Sequence, residues 1–257
     1  MTDAAPQIDF TFPLTGKVAL VTGGGSGIGA ATAEALSAKG ARVAVLDINR
    51  EIAEAQAARL TGEARAFVCD VADPASVEQA VADVLAAFGG IDIAVNSAGV
   101  ALLAPATELT LAHWDKTIDI NLKGSFLVTQ AVGRAMIAAG RGGRIINLAS
   151  QAGTVAIEDH VAYCASKFGV IGMSKTFAAE WGKYGITVNT LSPTIVLTEL
   201  GKKAWAGEKG ESAKKRIPNG RFAYPQEIAA AAVFLASEGA AMINGADLLI
   251  DGGYTIL

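Results

Sequence analysis

The sequence predicts an α/β protein: a single-domain Rossmann fold whose doubly wound, seven-stranded parallel sheet carries helices on both faces. Three observations lead there. Short apolar runs alternate with longer helical patterns along the whole 257-residue chain. Several apolar runs end in small or polar residues (Thr22-Gly23, Asp47, Asn96-Ser97, Ser150, Ser192-Pro193), which in a parallel sheet gather on one ligand-binding rim. No stretch is rich enough in Pro, Gly or Ser to divide the chain into domains.

Taken in order, Val18 to Val21 is a first strand, followed by the glycine-rich turn 22–29 and an alanine-rich helix. Ala41 to Asp47 is a second strand, and charges at Glu51, Glu54 and Arg59 mark the outer face of a helix to Leu60. Ala64 to Cys69 is a third strand. Asp73 caps a helix that Pro74 opens and Gly89-Gly90 closes. The fourth strand, Ile91 to Val95, runs into Asn96-Ser97-Ala98-Gly99. A long helical region from Thr110 to Ala139 carries Asn121 and Gly124 inside it. Arg144 to Leu148 is the fifth strand, followed by a helix over His160 to Trp181. The sixth strand is Ile186 to Leu191. A charged, mobile-looking insertion with Trp205 spans Leu200 to Arg216, ahead of a last helix, Pro225 to Ala236, and a last strand, Asp247 to Ile250. Residues 1–13 read as a flexible tail and 14–257 as one catalytic domain.

Composition narrows the function classes. Half of the residues are hydrophobic and the net charge is −4, with no basic run suited to a nucleic-acid backbone. Two cysteines, Cys69 and Cys164, make neither a disulfide framework nor a metal cluster, and a reducing cytoplasm is the simplest setting. No leader pattern opens the chain and no apolar run is long enough to span a bilayer, so no membrane partner is expected. No metal site is expected either, because the two histidines, His113 and His160, fall in different elements.

The glycine turn carries the first chemical signal. Gly23, Gly27 and Gly29 permit a sharp turn, close approach of a ligand to the main chain and tight seating of the helix on the sheet. A diphosphate then meets free amide N–H groups at the positive end of that helix. Asp47, about twenty residues beyond the loop, is placed to accept hydrogen bonds from an adenosine ribose. A carboxylate there repels a 2′-phosphate, and Gly24, Gly25 and Ser26 supply no basic side chain. The expected cofactor is therefore NAD, with Arg50 the one residue favouring NADP.

Ser150, Tyr163 and Lys167 are the second signal. A four-residue separation puts the phenol and the ammonium on one helical face. The ammonium is expected to pull the phenol's pKa down, and the Ser150 hydroxyl to hold a substrate oxygen beside it.

Over residues 14–257 the chain resembles the short-chain dehydrogenase/reductase family. The matching pieces are residues 22–29, Asp70-Val71, residues 96–99, Asn121, Ser150, the block 163–167, and Pro193 with Thr198. The resemblance implies a catalytic group of Asn121, Ser150, Tyr163 and Lys167. In it Tyr163 exchanges the alcohol proton, Lys167 binds the nicotinamide ribose and Asn121 distorts its helix and holds a relay water. It also implies cofactor contacts from Gly23, Ser26 and Ile28 at the diphosphate, Asp47 at the ribose, Asp70 and Val71 at adenine, Asn96 and Ala98 along the ribose path, and Val196 and Thr198 at the nicotinamide amide. Two departures stand out: Ser97 replaces a second Asn, and Thr194 replaces the Gly that usually follows Pro193.

Within the family the chain is similar to sugar-alcohol dehydrogenases, which implies oxidation of a small polyol to its ketose. The polar wall Gln151 to His160 suits such a substrate, with Ser150, Gln151, Glu158, His160 and Tyr163 as substrate contacts. Trp205 packs over the substrate in a lid at about 198–218, or else anchors that lid. The family also implies a homotetramer. Two other readings are open: an NADPH-dependent reductase of ketones or 3-oxoacyl thioesters, and a dinucleotide-binding protein without turnover.

Overall fold

A computed structural model describes residues 7–256. Its seven strands are β1 (Val18–Thr22), β2 (Arg42–Asp47), β3 (Ala64–Val68), β4 (Ile93–Asn96), β5 (Gly143–Leu148), β6 (Ile186–Pro193) and β7 (Asp247–Ile250). They form one sheet in the order β3-β2-β1-β4-β5-β6-β7, every pair parallel. The order reverses between β1 and β4, each of which starts a crossover to the opposite half. That leaves a crevice beyond their carboxyl ends, where a ligand fits.

The helices are α1 (Gly27–Ala38), α2 (Arg50–Arg59), α3 (Pro74–Phe88), α4 (Leu111–Ile118), α5 (Ser125–Ala139), α6 (Val161–Trp181), α7 (Glu199–Ala204), α8 (Glu208–Lys214) and α9 (Pro225–Ala236). Strands buried on both faces read as continuous apolar runs, and β1 and β6 are buried along their whole length. One core lies under α1, α2 and α9, built on Val21, Leu36, Val45 and Ile228. The other lies under α3, α5 and α6, built on Leu20, Val84, Val132 and Trp181. The punctuation follows the sequence: Asp73 accepts the Ala75 N–H at 3.0 Å ahead of Pro74, and Gly89 ends α3 at φ +78°.

Two segments differ from their sequence reading. The insertion expected to be mobile folds as α7 and α8, because Ala213, Ile217 and Phe222 bury a small apolar core of their own. At the other end, the Phe12 ring packs on Phe234 at 5.5 Å between centroids, and the Thr11 carbonyl accepts from Lys39 Nζ at 2.9 Å. The last part of the expected tail is thus tied down; residues 1–6 lie outside the described residues. No helix among the described residues is long and apolar enough to cross a membrane.

Candidate active site

The glycine turn packs so closely that side chains have no room. A Cβ on Gly29 would stand 2.2 Å from the Gly23 carbonyl oxygen, and one on Gly23 would stand 2.9 Å from the Ala98 backbone. Gly23 also has φ +59°, where a side chain is strained. The turn borders a cavity of about 1000 Å3 beyond β1 and β4. Gly23, Ser26 and Ile28 line its floor, Asp47, Asp70 and Val71 one end, and Ala98 and Thr198 the other side. The Asp47 carboxylate accepts from Gly25 N at 3.2 Å and Asn49 N at 3.1 Å, so it is anchored where β2 meets the turn. Arg50 pairs instead with Glu54 at 3.6 Å and does not border the cavity.

The side chains of two expected cofactor residues are engaged elsewhere. Asn96 turns inward: its Nδ2 donates to Thr129 Oγ1 at 2.9 Å and to Asn147 Oδ1 at 2.7 Å. Asn147 in turn donates to Ser174 at 2.9 Å, so this buried network ties β4 and β5 to α5 and α6. Val196 is buried in a bridge with Ala223, and it is Leu197 beside Thr198 that walls the cavity. Residues the sequence reading missed include Ser97, Ile120 and the start of α9 at Tyr224-Pro225. The α9 start carries a visible helix-opening signal, but only the chain path brings it to the crevice. Cys69 also borders the cavity, and burial, with Asp70 and Asp73 nearby, pushes its thiol up to about 12, which makes it a poor nucleophile.

The four catalytic candidates do not themselves line this cavity; Asn121 and Lys167 lie behind its Gly99 wall, with Tyr163 beside Lys167. A Cβ on Gly99 would stand 3.2 Å from Asn121 Oδ1 and 3.9 Å from Lys167 Nζ. Asn121 lies in a π-helical turn, Asp119–Gly124, between α4 and α5, so the expected helix distortion is present. Its side chain is a strap: Oδ1 accepts from Val100 N at 2.8 Å, and Nδ2 donates to Val100 O at 2.9 Å and to Ser166 Oγ at 3.2 Å. Lys167 is buried and donates to the Leu148 carbonyl at 2.7 Å, with Nζ 5.6 Å from the Tyr163 ring centroid. Desolvation brings its pKa down to about 8.

The phenol departs from its expectation. Tyr163 is half-buried, and desolvation raises the pKa of its phenol; only the Ser150 hydroxyl opposes the rise. The ammonium does not offset the burial, because it is directed at Leu148. Ser150→Ala therefore leaves the burial unopposed. The phenolate then forms only at higher pH, and the rising, low-pH limb of alcohol oxidation is expected to move to higher pH in a pH–rate profile. The rate at neutral pH should fall on the order of a hundredfold; an unmoved profile would count against the Ser150 role.

Substrate candidates divide the same way. Gln151 is buried beside Ser150, and its Oε1 has no partner among the described residues. The His160 ring stands edge-on to Tyr163 at 6.0 Å, and its Nδ1 meets the Glu158 carbonyl. Glu158 itself is exposed. Trp205 packs on Phe222 at 6.0 Å, within the small core of the insertion, which is the anchoring arrangement of its two expected roles.

A family model described as enoyl-(acyl carrier protein) reductase matches residues 23–255. The chain is 67% identical over 253 residues to a D-threitol dehydrogenase of Mycolicibacterium smegmatis, covering 97% of each. It is 52% identical over 248 residues to an NAD-dependent glycerol dehydrogenase of Listeria innocua, covering 96% of this chain and 97% of that one. In three dimensions it is similar to a short-chain type dehydrogenase/reductase from Mycobacterium marinum. There the TM-score is 0.90 and the identity 35%, covering 96% of this chain and 98% of that one.

Proposed function

The chain belongs to the short-chain dehydrogenase/reductase family, and from that premise we propose that it oxidises a small polyol to its ketose with NAD, D-threitol to D-erythrulose being the favoured pair. The observation that carries the chemistry is the meeting of Ser150, Tyr163 and Lys167 beside a cavity walled by the glycine turn and Asp47.

The cavity fits a dinucleotide. Its floor is a cradle that a Cβ at Gly23 or Gly29 would fill, and its far end carries an acid in place of a base. Gly23, Ser26 and Ile28 would hold the diphosphate, Asp47 the ribose, Asp70 and Val71 the adenine, Ala98 the adenosine-side ribose path, with Thr198 and Lys167 toward the nicotinamide half. NAD, when bound, supplies the hydride acceptor. The protein's own part is the proton: Tyr163 takes it from the substrate hydroxyl, Ser150 holds that oxygen, and Asn121 secures the loop at Val100. Gln151 supports a polyol, since a buried carbonyl oxygen without a donor is satisfied by a second hydroxyl and not by a plain alcohol.

An NADPH-linked reductase of ketones or 3-oxoacyl thioesters is disfavoured by the Asp47 carboxylate, and a protein without turnover by the retention of Ser150, Tyr163 and Lys167 together. We place the enzyme in the cytoplasm, with its two cysteines unpaired. We also propose a homotetramer, supported by apolar side chains left exposed on two faces: Leu111, Val161 and Phe168 on α4 and α6, Leu248 and Leu249 on β7.

The test is NAD and NADP reduction over D-threitol, erythritol, xylitol, sorbitol, galactitol and simple secondary alcohols. D-threitol with NAD should give the highest kcat/KM, about tenfold or more above NADP. No turnover of any polyol, or preference for NADP, would overturn the assignment.

A further inference from the structure

The dinucleotide-sized cavity is short of positive charge where it is needed. Its charged lining is Glu34, Asp47, Asp70 and Glu199 against Arg59 and Lys202. Arg59 stands at the far end of α2 beside Glu34, at 3.6 Å, and not against the glycine turn. The glycine turn contributes backbone amides but no basic side chain along residues 22–29. A diphosphate adds two negative charges to this surface, and backbone N–H groups do not neutralise them.

Lys202 is placed to do so. Thr198 caps α7 by accepting the Gly201 N–H at 3.0 Å, and its methyl group would lie 3.2 Å from a Cβ on Gly27. The first turn of α7 thus rests on the glycine turn itself. Lys202 N donates to Thr198 O at 2.8 Å, one helical turn on, which sets its side chain on the same face as Thr198, and both line the cavity. At present Lys202 Nζ contacts Glu199 Oε1 at 2.6 Å, with both side chains more than half exposed, at 56% and 85%. Such an exposed pair is worth little and is readily exchanged for a stronger partner. A diphosphate is stronger, carrying two negative charges in all, partly desolvated and held from the other side by amides.

Resting on the dinucleotide reading, we infer that Lys202 is a cofactor-binding residue of the lid: it leaves Glu199 for the cofactor diphosphate and so fastens α7 over the bound dinucleotide. Lid and cofactor then bind as one unit, although the lid's own core at Trp205 and Phe222 lies away from the cavity.

The experiment measures equilibrium binding of ADP-ribose and of adenosine to the full chain by calorimetry. Lys202→Gln should weaken ADP-ribose on the order of three- to tenfold at low salt, with the loss shrinking at high salt. Adenosine, which lacks the diphosphate, should bind unchanged, Lys202→Arg should restore ADP-ribose, and Glu199→Gln, which removes the competitor, should tighten it. ADP-ribose binding equally to parent and Lys202→Gln, or adenosine losing as much as ADP-ribose, would overturn the inference and leave the NAD assignment standing. A parent chain that binds no ADP-ribose would overturn both.

Discussion

Replacing Tyr163 with phenylalanine is expected to lower kcat for polyol oxidation by about two to four orders of magnitude, the range for loss of a positioned acid–base group. ADP-ribose affinity should stay at the parent value. The reason is that the hydroxyl is the only group removed, while the glycine turn and Asp47 that border the cavity are untouched. Folding should change by no more than about 1 kcal/mol, because Ser150 keeps its bond from Ala152 N at 3.1 Å. Steady-state kinetics, ligand titration and urea unfolding on the same preparation separate these effects. Residual turnover within about tenfold of the parent would remove Tyr163 from the proton step.

Gly29→Ala tests the other half of the site. Alanine is the better helix former by about 1 kcal/mol, so propensity alone predicts a more stable protein. The new methyl, however, would sit 2.2 Å from the Gly23 carbonyl oxygen and 2.8 Å from its carbon, both backbone atoms of the turn. Forced overpacking costs about 1–3 kcal/mol or more, and here the neighbour cannot rotate away. The steric cost wins: the urea midpoint should fall, and ADP-ribose affinity should drop by about tenfold or more as the amides lose their alignment. Gly172→Ala is the control within one subunit, since no atom of the same chain lies within 4 Å of a Cβ at that position in α6; compared by unfolding of the separated subunit, it should raise stability by up to about 1 kcal/mol. A Gly29→Ala protein that gained stability like Gly172→Ala would show the close contact to be unimportant.

These two predictions reach opposite ends of the same crevice, and both ends were legible in local sequence. Gly23, Gly27 and Gly29 announce their turn by residue type, because only glycine tolerates the approach of the Gly23 carbonyl and Ala98 to neighbouring backbone. Tyr163 and Lys167 announce a shared face by spacing. What spacing did not report was what surrounds them. Lys167 is bound to Leu148, so the lysine expected to lower the phenol's pKa leaves burial to raise it.

The amino-acid order by itself determined the α/β alternation, the strand-turn-helix that makes the cradle, the acid at the end of β2 and the serine–tyrosine–lysine group. Each depends on contacts or periodicities within a few residues, or on a strand simply ending. Tertiary structure alone decided that Asn96 faces Asn147, its register partner on β5, and is spent on the core. The same holds for Leu197 taking the wall in place of Val196, for Trp205 folding into the lid's own core, and for Thr198 coming to rest on Gly27 of the glycine turn. Those outcomes depend on register and crossover between segments far apart in the chain. No local pattern encodes which way a side chain will point once distant strands have paired.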